Sequence, residues 1–199
     1  MTEFPGILLA SASPRRRELL QQIGVQYDTV QHGVDESIRP GETAADYVRR
    51  LALEKALWVE TALTPSLPVL GADTVVVCDG AILGKPAGRE DALAILSSLS
   101  GRSHQVMTAI ALCRRARHEG CVVTTEVEFR DLTRQEMEAY WRSGEPADKA
   151  GAYGIQGLGG MFVRRLSGSY SAVVGLPLFE TAAMLTAFGV RTGLSGGLQ

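Results

Sequence analysis

Ile7-Leu8-Leu9-Ala10-Ser11-Ala12-Ser13-Pro14-Arg15-Arg16-Arg17-Glu18-Leu19-Leu20 is an apolar strand that runs directly into a helix. Ser13 suits the N-cap and Pro14 the first helical position, where a missing N–H does no harm. The arginines break the usual pattern. Free amides and the helix dipole already make this end electropositive, so each cation there is unfavourable by about 0.3–1 kcal/mol unless an anion is bound. Hydroxyls, free amides and guanidinium forks at one loop point to a multiply charged anion, most simply a phosphate chain.

Outward from this stretch, Leu19, Leu20 and Ile23 keep helical spacing and Gly24 stops the helix. Val25, Tyr27 and Thr29 alternate as a second strand. A polar loop through Pro40-Gly41 leads to Thr43, with Asp46 three residues on, opening a helix to about Glu60. Its apolar face, Val48, Leu51 and Ala52, continues onto Lys55 and Val59. An ammonium there needs a route to solvent or a fixed anion.

Val69 to Val77 reads as a strand interrupted near its middle by Gly71-Ala72-Asp73-Thr74. Asp79-Gly80 signals a hairpin, and Ile82-Leu83 returns to Gly84-Lys85-Pro86. A helix over Arg89–Leu99 is followed by strands over His104–Cys113 and Cys121–Phe129. Thr133 and Glu136 form a capping box for a helix that ends at Gly144. Five glycines fall in the ten residues from Gly151, a density that suits backbone brought close to a ligand or bent through positive φ. Met161–Leu166 and Ala172–Val174 read as short strands, and Pro177 begins a last helix ending at Gly189. The intermixed strands and helices predict an α/β protein with a mixed sheet.

The 199 residues predict one domain or two intimate lobes over residues 1–190, with 191–199 as a flexible tail. A net charge of -2 argues against an extended nucleic-acid surface and makes any phosphate site local. Cys78, Cys113 and Cys121 lack CxxC spacing and read as free thiols of a reducing cytoplasm. The opening residues do not have the pattern of a signal peptide, and no apolar run approaches the roughly 20 residues of a membrane span.

Among chemistry-bearing residues, Asp73 reads as a bulge or turn former, or as a carboxylate that carries Mg²⁺ or orients water. Asp35-Glu36 is an acidic pair in its own loop. Lys85 is held in a turn and reads as a surface lysine or a phosphate ligand; Lys149 reads the same way, with the glycine-rich loop behind it. His104 reads as a satisfied polar residue at a strand edge. No Ser/His/Asp array, zinc spacing, P-loop or strand-linked GxGxxG is present.

Ser11-x-Ser13-Pro14-Arg15-Arg16, Gly71-Ala72-Asp73-Thr74, Gly84-Lys85-Pro86, Gly101-Arg102-x-His104-x-Val106-x-Thr108 and Asp148 through Gly157 together resemble the Maf family of nucleoside triphosphate pyrophosphatases, historically described as septum formation inhibitors. The resemblance spans Leu8 to Leu185. It implies two α/β lobes around a deep cleft, similar to inosine triphosphate pyrophosphatase, often as a cytoplasmic homodimer. It further implies cleavage between the α and β phosphates with a divalent metal, Mg²⁺ or Mn²⁺, held by Glu36 and Asp73. Asp73, Glu36, Lys55 and Lys85 would be catalytic, with Ser11, Arg15, Lys55 and Lys85 on the phosphates. Arg16, Thr74 and Gln156 match the branch that hydrolyses dTTP and UTP and would select the base, canonical or modified pyrimidine; Arg17 would be a solvated surface residue. The other reading is a regulator of cell division that senses nucleotide, or associates with nucleic acid, without cleaving it.

Overall fold

The computed structural model describes residues 3–194. The opening strand and helix form as the sequence dictates: β1 (Gly6–Ala10) is buried and α1 (Pro14–Gln22) follows, with Ser13 at its N-cap and Gly24, at φ +65°, just past its end. β2 (Gln26–Thr29), α2 (Ala44–Leu63), β3 (Val69–Cys78) and β4 (Ala81–Leu83) come next. The chain continues through α3 (Arg89–Leu99), β5 (Ser103–Arg114), β6 (Arg117–Phe129), α4 (Arg134–Arg142), β7 (Val163–Ser167), α5 (Tyr170–Val174) and α6 (Leu178–Ala187).

Among the described residues the strands join one seven-stranded mixed sheet in the order β2-β1-β3-β5-β6-β7, with β4 paired to β3. β1 lies parallel to β2 and to β3, whereas β3–β4 and β6–β7 are antiparallel. The register Ala10↔Gly71 fixes where two of the candidate site residues lie. It places Ser11, just past the carboxyl end of β1, alongside the middle of β3, where Asp73 stands two residues beyond Gly71. In α/β sheets the carboxyl end of a strand, here that of β1, is where ligands bind.

Two compact units divide the chain. One runs to Asp73 and adds Thr108–Val123 and the residues from Gly175 onward; the other comprises Thr74–Met107 and Thr124–Val174. The first has a cluster of fully buried Ala10, Ala56, Val59, Val69 and Cys113, where α2 packs on the sheet. The second is built on aromatic edges: Phe129 meets Tyr153 with ring centres 4.7 Å apart, and Tyr140 meets Phe162 at 4.9 Å.

Four expectations need correction. β3 is continuous through Gly71-Ala72-Asp73-Thr74, because the small residues admit a neighbouring helix and Asp73 has a cationic partner. β6 begins at Arg117, four residues before Cys121, since a two-residue turn carrying Arg115 at φ 54° closes it onto β5 without any Asn-Gly or Asp-Gly signal. Leu158–Phe162 winds as a 3₁₀ helix, which delays β7 to Val163. Ala172–Val174 belongs to helix α5, which starts after Gly168, at φ 132°, and Ser169, whose hydroxyl accepts the Ala172 N–H at 3.2 Å.

The segment read as a loose tail is tied at its start: Arg191 N–H reaches the Phe4 carbonyl at 3.1 Å and Gly193 N–H the Ile23 carbonyl at 2.8 Å. Residues 195–199 of that segment lie outside the described residues. The three cysteines are free, Cys78 and Cys113 buried and Cys121 half-buried. Among the described residues no helix is long and apolar enough to cross a membrane.

Candidate active site

Ser13 makes no side-chain bond as N-cap. Ser11, 4% exposed, takes up the free amide instead, its Oγ accepting the Ser13 N–H at 3.2 Å. The same Oγ accepts Arg16 Nη1–H at 3.0 Å, while Arg16 Nε–H donates to the Gly175 carbonyl at 2.9 Å. Arg16 is therefore a buried brace of the loop as well as a cation at the helix start. Burial pushes its guanidinium below the ordinary value, and the charges of Asp73 and Glu36 act against that push. Arg15 is half-buried and Arg17 exposed, so the three arginines are not equivalent.

The centre of the site is Lys55. Its ammonium, at 5% side-chain exposure, lies 2.7 Å from Asp73 Oδ1 and 2.7 Å from Glu36 Oε1. The apolar helix face thus delivers the cation to a fixed anion, one of the two solutions expected for a buried ammonium. Gly71 makes the approach possible. A Cβ there would stand 2.8 Å from Ala56 N and closer still to the Ala52 carbonyl, so α2 can lie this close to β3 only over a glycine.

Glu36 comes from the loop before α2, and that loop is anchored to the helix. Tyr47 Oη–H donates to the Glu36 carbonyl at 2.7 Å. Arg50 holds both carboxylate oxygens of Glu42, at 2.6 and 2.8 Å, and donates to the Ser37 carbonyl at 3.1 Å. Burial, with Asp73 and Glu36 adding to it, pushes the Tyr47 hydroxyl up to about 12, so it stays a donor. Nothing in the sequence distinguished Tyr47 or Arg50 from ordinary helix residues. Their spacing from Glu36 has meaning only once the loop folds back.

His32 was equally silent in the sequence. Burial and then the Lys55 charge push its imidazole below the ordinary value, and its buried Nδ1 lacks a hydrogen-bond partner among the described residues. The Lys55 group thus contains two carboxylates of hard oxygen donors and has an unsatisfied ring nitrogen in its field. No set of three or more His, Cys, Asp or Glu side chains converges among the described residues. Two carboxylates fit a Mg²⁺-type ion, which usually keeps several waters and is held by one or two carboxylates plus substrate phosphates.

The second unit carries the remaining candidates. Thr74 is half-buried on β3, Lys85 is exposed just after β4, and Gln156 is exposed on a turn of the glycine-rich segment. Gly151 N–H donates to the Gly84 carbonyl at 3.0 Å, which ties the turn of Lys85 to that segment. Lys149 is engaged locally, its Nζ 2.6 Å from the Glu145 carbonyl and 2.7 Å from Asp148. His104 is a core residue, not an edge one: it is 3% exposed, and its Nε2 lies 2.8 Å from Tyr153 Oη.

The sheet and this group of residues define an α/β protein with a buried carboxylate–ammonium centre beside an arginine-bearing helix start. The family described as Maf-like protein matches residues 6–188, and the chain belongs to it. It is 54% identical to the dTTP/UTP pyrophosphatase of Vibrio parahaemolyticus over 188 residues, covering 94% of this chain and 100% of that one. It is 54% identical to the dTTP/UTP pyrophosphatase of Hahella chejuensis over 190 residues, covering 93% of each. Among solved structures, the Staphylococcus aureus Ham1 protein gives a TM-score of 0.44 at 16% identity, over 63% of this chain and 72% of that one.

Proposed function

We propose that the protein hydrolyses dTTP and UTP to the nucleoside monophosphate and pyrophosphate. The single observation that carries the reading is the buried Lys55 ammonium held at 2.7 Å from both Asp73 and Glu36. A fold does not need this centre for stability, and the names of relatives more than half identical over nearly the whole chain supply the substrate class.

The reaction is an in-line attack of water on the α-phosphorus. A P–O bond to water forms, the bond from the α-phosphorus to the bridging oxygen breaks, and pyrophosphate leaves with that oxygen. Asp73 and Glu36 divide two tasks between them, holding a divalent cation and taking the proton of the attacking water. When bound, Mg²⁺ or Mn²⁺ supplies charge neutralisation on the phosphates and a more acidic water. Lys55 fixes both carboxylates before substrate arrives, so little reorganisation remains at the moment of reaction. Ser11, Arg15, Lys55 and Lys85 take the phosphates, and Arg16, Thr74 and Gln156 select the base. A Gln amide offers one donor and one acceptor edge, the pattern a uracil-like ring requires.

The test is incubation of the full chain with Mg²⁺ and a panel of nucleoside triphosphates. The expected products are monophosphate plus pyrophosphate, fastest from dTTP and UTP. Asp73→Asn, which keeps the size of the side chain, nearly abolishes release with a modest loss of nucleotide binding. Binding without products would establish a sensor and refute the enzyme reading.

A further inference from the structure

Glu145 begins a 3₁₀ turn after α4, and the glycine-rich segment folds around its carboxylate. Oε1 accepts the Tyr140 hydroxyl at 2.7 Å and the Gly159 N–H at 3.2 Å, and Oε2 accepts the Leu158 N–H at 2.8 Å. Tyr140 Oη in turn accepts the Gly154 N–H at 3.0 Å. Gly154 and Leu158 are thereby pinned on either side of Ile155-Gln156-Gly157, and a Gly157 N–H bond to the Gly154 carbonyl at 3.4 Å closes the turn.

Gly154, Gly157 and Gly159 each lie against this group or its neighbour Lys149. A Cβ at Gly159 would lie 2.6 Å from Tyr140 Oη, one at Gly154 2.7 Å from Lys149 Cε, and one at Gly157 would fall onto the Glu145 carboxylate. At Gly157 the missing side chain makes room for a protein carboxylate, and at Gly159 for the hydroxyl bound to it. Gln156, between the pinned flanks, faces solvent.

We infer that Glu145, with Tyr140, positions Gln156 and so sets base selectivity without taking part in phosphate chemistry. The inference rests on the reading in which Gln156 selects the base. Two pinned flanks hold the short turn in one conformation, so the amide is ordered before a base arrives and binding need not order it. Burial would push the Glu145 carboxyl up, but the bonds from Tyr140, Leu158 and Gly159 and the Lys149 charge hold it below the ordinary value, which keeps it an acceptor.

Glu145→Gln replaces one acceptor oxygen with a donor that cannot take an N–H. Tyr140→Phe keeps the ring against Phe162 but removes the hydroxyl that holds Gly154. In the full chain, each variant is expected to lower the kcat/KM preference for UTP over GTP by about tenfold, with kcat on UTP within about twofold. In a Gln156→Ala background neither substitution should lower the preference further. Should Gln156→Ala lower the preference while Glu145→Gln and Tyr140→Phe leave it intact, the inference falls and the base-reading role of Gln156 survives. An unchanged preference in Gln156→Ala itself overturns both. Equal loss of kcat on every substrate, or a further loss of preference on top of Gln156→Ala, shows a merely structural role and overturns the inference. Tyr140→Phe decides the matter if Glu145→Gln does not fold.

Discussion

Gly71→Ala tests whether the approach of α2 to β3 sets the active centre. The added methyl would lie 2.8 Å from Ala56 N, and nearer to the Ala52 carbonyl, both of them backbone atoms of α2. Carbon contacts are comfortable from about 3.5 Å, so the helix must retreat by roughly 1 Å. Lys55 rides on that helix and Asp73 on that strand, and their 2.7 Å contact opens by a similar amount. Overpacking of this kind costs about 1–3 kcal/mol of stability. A misplacement of about 1 Å at a catalytic group costs about 100-fold in rate. The assay is pyrophosphate release from UTP, measured well below the melting temperature, alongside urea unfolding of the same preparation. The expected result is a folded protein, destabilised by about 2 kcal/mol, with kcat/KM down about 100-fold. A destabilised but folded variant with wild-type kcat/KM would refute the claim that this distance positions Lys55.

Tyr47→Phe removes the bond to the Glu36 carbonyl; it should lower stability by about 1 kcal/mol and reduce kcat/KM about fivefold in the release assay, and unchanged kinetics would detach Tyr47 from the loop's function. Burial pushes the His104 imidazole down to about 4, so between its ordinary value of 6.5 and that pH the unfolded chain binds a proton that the native protein does not. Stability from this group is therefore present above pH 6.5 and lost as pH falls, by about 2 kcal/mol between pH 7 and pH 5, and urea unfolding of His104→Gln should lack that part of the slope. The double variant Lys55→Met with Asp73→Leu should melt no lower than the parent while releasing no pyrophosphate, whereas Lys55→Met alone should lose about 3–5 kcal/mol because Asp73 is left buried without its partner. A double variant as unstable as the single one would make the pair a structural necessity.

The strand-to-helix start, the apolar face of α2 and the capping box at Thr133 were legible because each is a local pattern of a few residues. In the capping box, Glu136 returns a bond to the Thr133 N–H at 2.8 Å, as the spacing requires. Lys55 and Asp73 were legible as separate anomalies, charges in places where charge is expensive, while Glu36 read as half of an acidic pair in a loop, and nothing in the sequence said that one ammonium joins the three. What stayed hidden depends on contacts between distant segments. Gly71 looks like a strand breaker until the Ala52 carbonyl is seen to occupy its side-chain space. The glycines near Gln156 look like a ligand cradle until the Glu145 carboxylate is found inside. The Arg115 turn escaped because no turn residue marks it, and Ala172–Val174 reads as a strand because three apolar residues carry no period.

The same contacts explain why the centre is a buried ion group and not a better-packed core. Removing an ammonium and a carboxylate from water is unfavourable, and well-packed apolar residues would serve stability at least as well. Asp73, at 8% exposure, and Lys55, at 4%, are therefore a poor investment for a fold alone. The surrounding structure goes further and holds them: Gly71 admits the helix, and Tyr47 and Arg50 keep the Glu36 loop against α2, while Arg16 braces Ser11. These are fixed charges gathered beside the carboxyl end of β1, and their desolvation cost has been met before any ligand arrives. Such an arrangement stabilises a charged reacting group more than water can, because water would first have to reorient. If the proposed reaction is the one this centre performs, the residues that look most costly for folding are the ones the phosphate chemistry requires, and the glycine that permits them belongs to the active centre as much as the charges do.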